Sequence, residues 1–189
     1  METKSIMIVG VGGQGTLLAS RILGNTVINR GYDVKVSEVH GMSQRGGSVV
    51  TYVRYGEKVY SPVIDKGGAD IILAFELLEA KRALPYLKKD GKIIVNSQEI
   101  DPMPVIIGAC DYPENISETL AAAADTTVVD ALSLATIAGN QKAVNVVLIG
   151  VMAKNTDIPY EVWIDTIKNT VPEKFLDINL KAFELGYNF

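Results

Sequence analysis

Along the first forty residues the apolar positions change rhythm twice. Ser5 to Val9 is an apolar run containing the β-branched Ile6, Ile8 and Val9; it stops at glycine and predicts a buried strand. Ala19, Ile22, Leu23, Thr26 and Val27 then recur at helical spacing and form one apolar stripe, with Gly31 placed for a C-terminal cap. Tyr32 to Val39 alternates as a second strand. This opening predicts a βαβ unit, whose crossover between parallel strands is right-handed.

The next stretch leaves that alternation. Ser48 to Tyr55 is rich in Val, Thr and Tyr, and Gly56-Glu57 separates it from a short run, Lys58 to Ser61, so the pattern predicts an inserted β-hairpin. Signals of a parallel sheet resume with strands at Ala69 to Phe75, Lys92 to Asn96, Val105 to Ile107 and Thr127 to Asp130, and helices at Glu76 to Leu87 and Ile116 to Ala124. From Leu132 onward the pattern is helical, broken near Gly139, Asp157-Ile158-Pro159 and Pro172. Together these elements predict one α/β domain over residues 1–189: a doubly wound, Rossmann-like, mostly parallel sheet with a hairpin insertion and a helical C-terminal portion.

Composition narrows the function classes. A net charge of -4 sets the overall field against a polyanion, so nucleic acid is not expected as a partner. No apolar run reaches the roughly 20 residues that span a bilayer, and no membrane association is expected. The single cysteine, Cys110, can close no internal disulfide and cannot by itself hold a cluster or a structural zinc ion; it precedes Asp111 with no cation beside it to stabilise a thiolate. A cytoplasmic location without a cleaved leader fits this usage.

Candidate chemistry begins at IMIVGVGGQG. Gly10, Gly12 and Gly15 satisfy G-x-G-x-x-G, with Gly13 and Gln14 inside the motif, between a predicted strand and a predicted helix. Missing side chains let the backbone turn tightly and bring its N–H groups to a phosphate, and the helix turns its positive end to the same anion. The alternative reading of the same glycines is the turn that any doubly wound sheet needs. Glu38, near the end of the second strand, is where a dinucleotide fold keeps an acid for the ribose, which leaves a free-standing nicotinamide or flavin oxidoreductase as an alternative. A second motif follows in SEVHGMSQRGGSVV: Ser43, Gln44 and Arg45 precede Gly46 and Gly47, a planar five-donor cation beside flexible backbone. His40 has no second ligand or nucleophile near it and reads as a structural imidazole.

The two motifs together resemble the gamma-type subunits of the 2-oxoacid:ferredoxin oxidoreductases, in particular the indolepyruvate branch. YSPVIDKGGADIILAFELLEAKRALPYLKKDGKIIVN, NVVLIGVMAK and NLKAFELGY extend the likeness over nearly the whole chain. The resemblance implies a non-redox subunit that assembles with a larger alpha subunit carrying thiamine diphosphate, magnesium and iron-sulfur clusters. The assembly would convert an aryl 2-oxoacid to its acyl-coenzyme A and pass electrons to ferredoxin. It also implies that this domain helps form the coenzyme A site, with the Gly12–Gly15 amides facing phosphates or a docked partner segment, Gln14 orienting and Arg45 adding a cation at the boundary. The chain alone would hold no cofactor and be inactive, and could form a homodimer. A non-catalytic adaptor is the other alternative.

Remaining polar groups have ordinary readings. Glu76, Glu79, Lys81 and Arg82 lie on one predicted helix as a solvated face, though Glu76 follows a strand at the edge where such sheets bind ligands. Asn96 and Ser97 fit turn chemistry, and Asn140 and Asn145 fit capping or packing. Trp163, Phe175, Phe183, Tyr187 and Phe189 could be core or interface.

Overall fold

The computed structural model describes residues 2–39 and 46–189. Among these residues six strands form one sheet: β1 (Lys4–Val11), β2 (Asp33–Val39), β3 (Ser48–Gly56), β4 (Ala69–Ala74), β5 (Leu87–Asn96) and β6 (Asp125–Val129), in the spatial order β2-β3-β1-β4-β5-β6. Strands β1, β4, β5 and β6 are mutually parallel, and β3 runs antiparallel to both β1 and β2. Eight α-helices accompany them among the described residues: α1 (Thr16–Asn29), α2 (Leu77–Ala83), α3 (Met103–Ile106), α4 (Ile116–Ala123), α5 (Ala131–Ala138), α6 (Val144–Ala153), α7 (Tyr160–Thr170) and α8 (Leu176–Tyr187).

Strand alternation divides the core in two. From β1, Ile6 and Ile8 face a layer built by α1 and α5–α8, while Met7 and Val9 face α2 and α4. The first layer is the larger, and α6 (VNVVLIGVMA) is apolar nearly all round because it is enclosed by its neighbours. Trp163 and Phe183 are fully buried there and stack 6.2 Å apart. Among the described residues the indole Nε1 of Trp163 has no hydrogen-bond partner. Helices α6 and α8 touch backbone to backbone: a Cβ on Gly150 would overlap the Phe183 carbonyl oxygen, and one on Gly186 the Val147 carbonyl oxygen.

The expected sheet and its helical C-terminal portion are present, with four corrections. First, β1 and β2 are parallel but not adjacent, because β3 lies between them and pairs with each over most of its length. Second, the antiparallel partner of β3 is β2, not Lys58 to Ser61, which forms no strand. Side chains satisfy that segment's backbone instead: the Val59 amide donates to Asp33 (2.9 Å), and Arg54 Nη1 donates to the carbonyls of Ser61 (3.0 Å) and Val63 (3.1 Å). Third, Val105 to Ile107 belongs to the short helix α3 and its cap, with Pro104 in its first turn, where a missing N–H costs nothing. Fourth, the helix expected from Glu76 to Leu87 ends at Ala83, followed by a 3₁₀ turn over Leu84–Tyr86 that contains Pro85.

Candidate functional site at the carboxyl end of the sheet

The turn from β1 to α1 sits at the carboxyl end of the parallel strands, between β3 and β4. Its two inner amides are already used. The Gly12 N–H donates to the Gly47 carbonyl at 2.8 Å and the Gln14 N–H to the Val11 carbonyl at 3.2 Å. Gly46 N–H returns to the Gly12 carbonyl at 3.4 Å, so the β1–β3 ladder runs on into the turn and brings Gly46 and Gly47 against the first motif. Gly10 is packed against Phe75 and Gln14. Ser43, Gln44, Arg45 and His40 lie outside the described residues.

Other amides are open. Among the described residues, the N–H groups of Gly13, Gly15, Thr16 and Leu17 donate to no acceptor. Gly13 (φ 101°) and Gly15 (φ 84°) take left-handed backbone, which suits glycine and directs the chain into α1. Gly15 caps that helix without any side-chain acceptor, so the first-turn donors at the positive dipole end are left uncapped. The Gly15 carbonyl accepts Asn145 Nδ2 at 3.2 Å, which ties the turn to α6 and gives Asn145 the packing role its position suggested. Beside these amides lies a cavity of about 320 Å³, lined by the turn residues Gly12, Gly13, Gly15 and Thr16 together with Leu17, Val39, Val49, Val50 and Thr51.

Gln14 acts as a staple. Its Oε1 accepts the Val11 N–H at 2.7 Å, and its Nε2 donates to the Phe75 carbonyl at 3.0 Å and to Gln98 Oε1 at 3.2 Å. Asn96, buried at the end of β5, donates to the same two oxygens at 3.2 and 3.3 Å and accepts the Ala131 N–H. The amide side chains thus lock the ends of β1, β4 and β5 and the start of α5 into one network. No sequence pattern pointed to Gln98, since a lone glutamine after a strand carries no spacing signal.

The carboxyl groups of α2 are not on a solvated face. Glu76 is 1% exposed, accepts the amides of Glu79 (2.8 Å) and Ile100 (3.2 Å), and receives the Tyr112 hydroxyl. Burial first, and that hydrogen bond second, hold the Tyr112 phenol far above its ordinary range, so it remains a donor. Glu79 is buried as well; it accepts Ser48 Oγ at 2.5 Å and Arg82 Nη1 at 2.6 Å, which ties α2 to the start of β3. Every one of these partners is a structural group of the chain. Glu38 accepts Ser20 Oγ on α1, and the intervening β3 puts it one strand farther from the glycine turn than a dinucleotide fold requires. Among the described residues, no group of three or more His, Cys, Asp or Glu side chains is placed to hold a metal ion, and no helix is long and apolar enough to cross a membrane.

Fold and turn define a doubly wound α/β domain whose first turn carries backbone amides without an acceptor among the described residues, beside an apolar-walled cavity. Residues 5–189 match the pyruvate ferredoxin/flavodoxin oxidoreductase family, to which the chain belongs. It is 44% identical to the indolepyruvate oxidoreductase subunit IorB of Thermococcus kodakarensis, and equally to that of Pyrococcus horikoshii, over 98% of this chain and 95% of each relative. Among solved structures it is similar to the gamma subunit of a keto/oxoacid ferredoxin oxidoreductase from Geobacter sulfurreducens (24% identity, TM-score 0.73, 98% of this chain and 96% of that one). It is also similar to 2-oxoglutarate:ferredoxin oxidoreductase from Magnetococcus marinus, solved with 2-oxoglutarate, coenzyme A and succinyl-CoA bound. That match has 16% identity and a TM-score of 0.77, covering all of this chain and 31% of that one, and it supports the fold.

Proposed function

We propose that the chain is the non-redox small subunit of a thiamine-diphosphate-dependent oxidoreductase that converts indolepyruvate or a related aryl 2-oxoacid to its acyl-coenzyme A, with ferredoxin as electron acceptor. The identity of 44% with indolepyruvate oxidoreductase subunits over nearly the full length carries the substrate class. Thiamine diphosphate, magnesium and the iron-sulfur clusters reside on the larger subunit and supply carbanion stabilisation and electron transfer. This chain binds and orients. The open amides of Gly13, Gly15, Thr16 and Leu17 face a phosphate of coenzyme A, helped by the dipole of α1, and Arg45 adds a cation from the second motif. Gln14 holds the turn in shape through Val11, Phe75 and Gln98 and takes no part in bond making.

Leu17 is 53% exposed and lies in the first turn of α1. An aspartate there suits the helix end but repels an anion, so Leu17→Asp separates ligand binding from folding. In the assembled enzyme we expect the coenzyme A KM to rise about tenfold, while decarboxylation read with an artificial acceptor and the stability of the chain stay unchanged. An unchanged KM would remove the phosphate role. The apolar wall of Leu17, Val39, Val49 and Val50 favours a second occupant, a partner segment; in that case Leu17→Asp weakens assembly and leaves KM alone.

A further inference from the structure

From Ile93 to Gln141 the chain has no lysine, arginine or histidine and seven acids, whereas the other 140 residues hold 18 bases and 15 acids. The excess negative charge is therefore concentrated in one stretch. In the middle of it Met103, Ile106 and Ile107 are 65, 65 and 70% exposed, and their i, i+3, i+4 spacing puts them on one side of α3 and its cap. Exposed large apolar groups in a contiguous cluster, rimmed by charge, mark an interaction surface. Glu99 and Asp101 before this cluster in the chain, and Asp111 and Glu114 after it, are all exposed.

The segment is nonetheless fixed from beneath. The Gln98 carbonyl accepts the Leu77 amide at 3.0 Å, and Gln98 Oε1 accepts Gln14 and Asn96. The Ile100 amide and the Tyr112 hydroxyl both reach buried Glu76, so the two ends of the segment share one anchor. The apolar cluster is thus carried on a segment anchored by Glu76 and joined to the glycine turn through Gln98.

We propose that Met103, Ile106 and Ile107 form a preformed knob that inserts into an apolar recess, rimmed by lysine and arginine, on the larger subunit of the same oxidoreductase. This rests on the subunit reading above. Charge selects the occupant: a second copy pairing through the same face would set one acidic rim against another, whereas a basic rim complements it. The rim sets encounter rate and salt sensitivity, and the apolar knob sets residence time.

The test coexpresses this chain with its larger subunit and measures assembly by size exclusion and surface binding. Ile106→Asp with Ile107→Asp should weaken assembly at least about tenfold, and Asp101→Lys with Asp111→Lys should lower the association rate and reverse its salt dependence. Both pairs lie at the surface, so thermal melts of the isolated chain should stay within about 2 °C of the wild type. Exposed Cys110 gives a readout in the unmodified protein: its alkylation, followed by mass spectrometry, should slow about tenfold in the complex. Variants that assemble like the wild type, with Cys110 alkylated at the free rate, would overturn the surface alone. A wild-type pair that never assembles would overturn the subunit reading with it. Loss of self-association with assembly intact would overturn it in favour of contact between copies of this chain.

Discussion

Glycine does opposite work at two places in this molecule. In the β1–α1 turn, Gly13 and Gly15 take left-handed backbone and leave amides with no acceptor among the described residues; a Cβ on Gly13 would meet open space, and one on Gly15 only the Asn145 side chain, 2.7 Å away. Between α6 and α8, Gly150 and Gly186 let two helices meet at backbone distance, and a Cβ on either would strike the other helix. Gly13 serves accessibility, Gly15 also makes room for Asn145, and the second pair serves density. A glycine count cannot separate them; only the surroundings can.

Breaking the dense pair should have the largest effect. Gly186→Ala forces α8 away from the Val147 carbonyl, and overpacking of a closed backbone contact should cost about 3 kcal/mol, read as a lower urea midpoint. A loss below about 1 kcal/mol would mean that the two helices can slide apart freely.

The core on that side of the sheet also holds Tyr55, which is buried and lies 5.9 Å from Tyr32. Burial, and then the negative charges of Asp157 and Asp70, push its phenol up to about 12. Because the folded value stands above that of the unfolded chain, this contribution is whole below pH 10 and disappears as pH rises through about 12. About 2 kcal/mol should therefore be lost over that window by the wild type and retained by Tyr55→Phe, measured as the difference between their alkaline denaturation curves. Parallel curves would show that Tyr55 ionises without unfolding the core.

The smallest effect belongs to the accessible turn. Gly13→Ala meets no neighbour and costs only backbone strain, about 1 kcal/mol, while the coenzyme A response of the assembled enzyme changes more than its stability does. A stability loss matching that of Gly186→Ala would erase the distinction between the two pairs.

Periodicity made much of this legible in advance. The β1 run, the α1 stripe with Gly31 at its end, the parallel strands β4, β5 and β6 and the break at Gly139 all follow from local pattern. The position of β3 between β1 and β2 does not, because strand pairing is a long-range choice that leaves no mark on spacing. Short apolar runs mislead for a related reason: Val105 to Ile107 has the composition of a buried strand yet lies on the surface, preceded by Pro102 and Pro104. At the turn the glycine motif marks the location, but which amides stay open depends on Gly47 arriving to take the Gly12 amide. The burial of Glu76 and Glu79 likewise depends on Tyr112, Ile100 and Ser48, far away in sequence.

Trp163, the one tryptophan of the chain, sits fully buried among α6, α7 and α8, its ring nitrogen without a partner among the described residues. Its fluorescence is therefore a built-in optical gauge of a single layer. Emission from that indole tracks whether the helical wall is closed and is blind to occupancy at the glycine turn, so structural damage and ligand loss can be told apart in one cuvette.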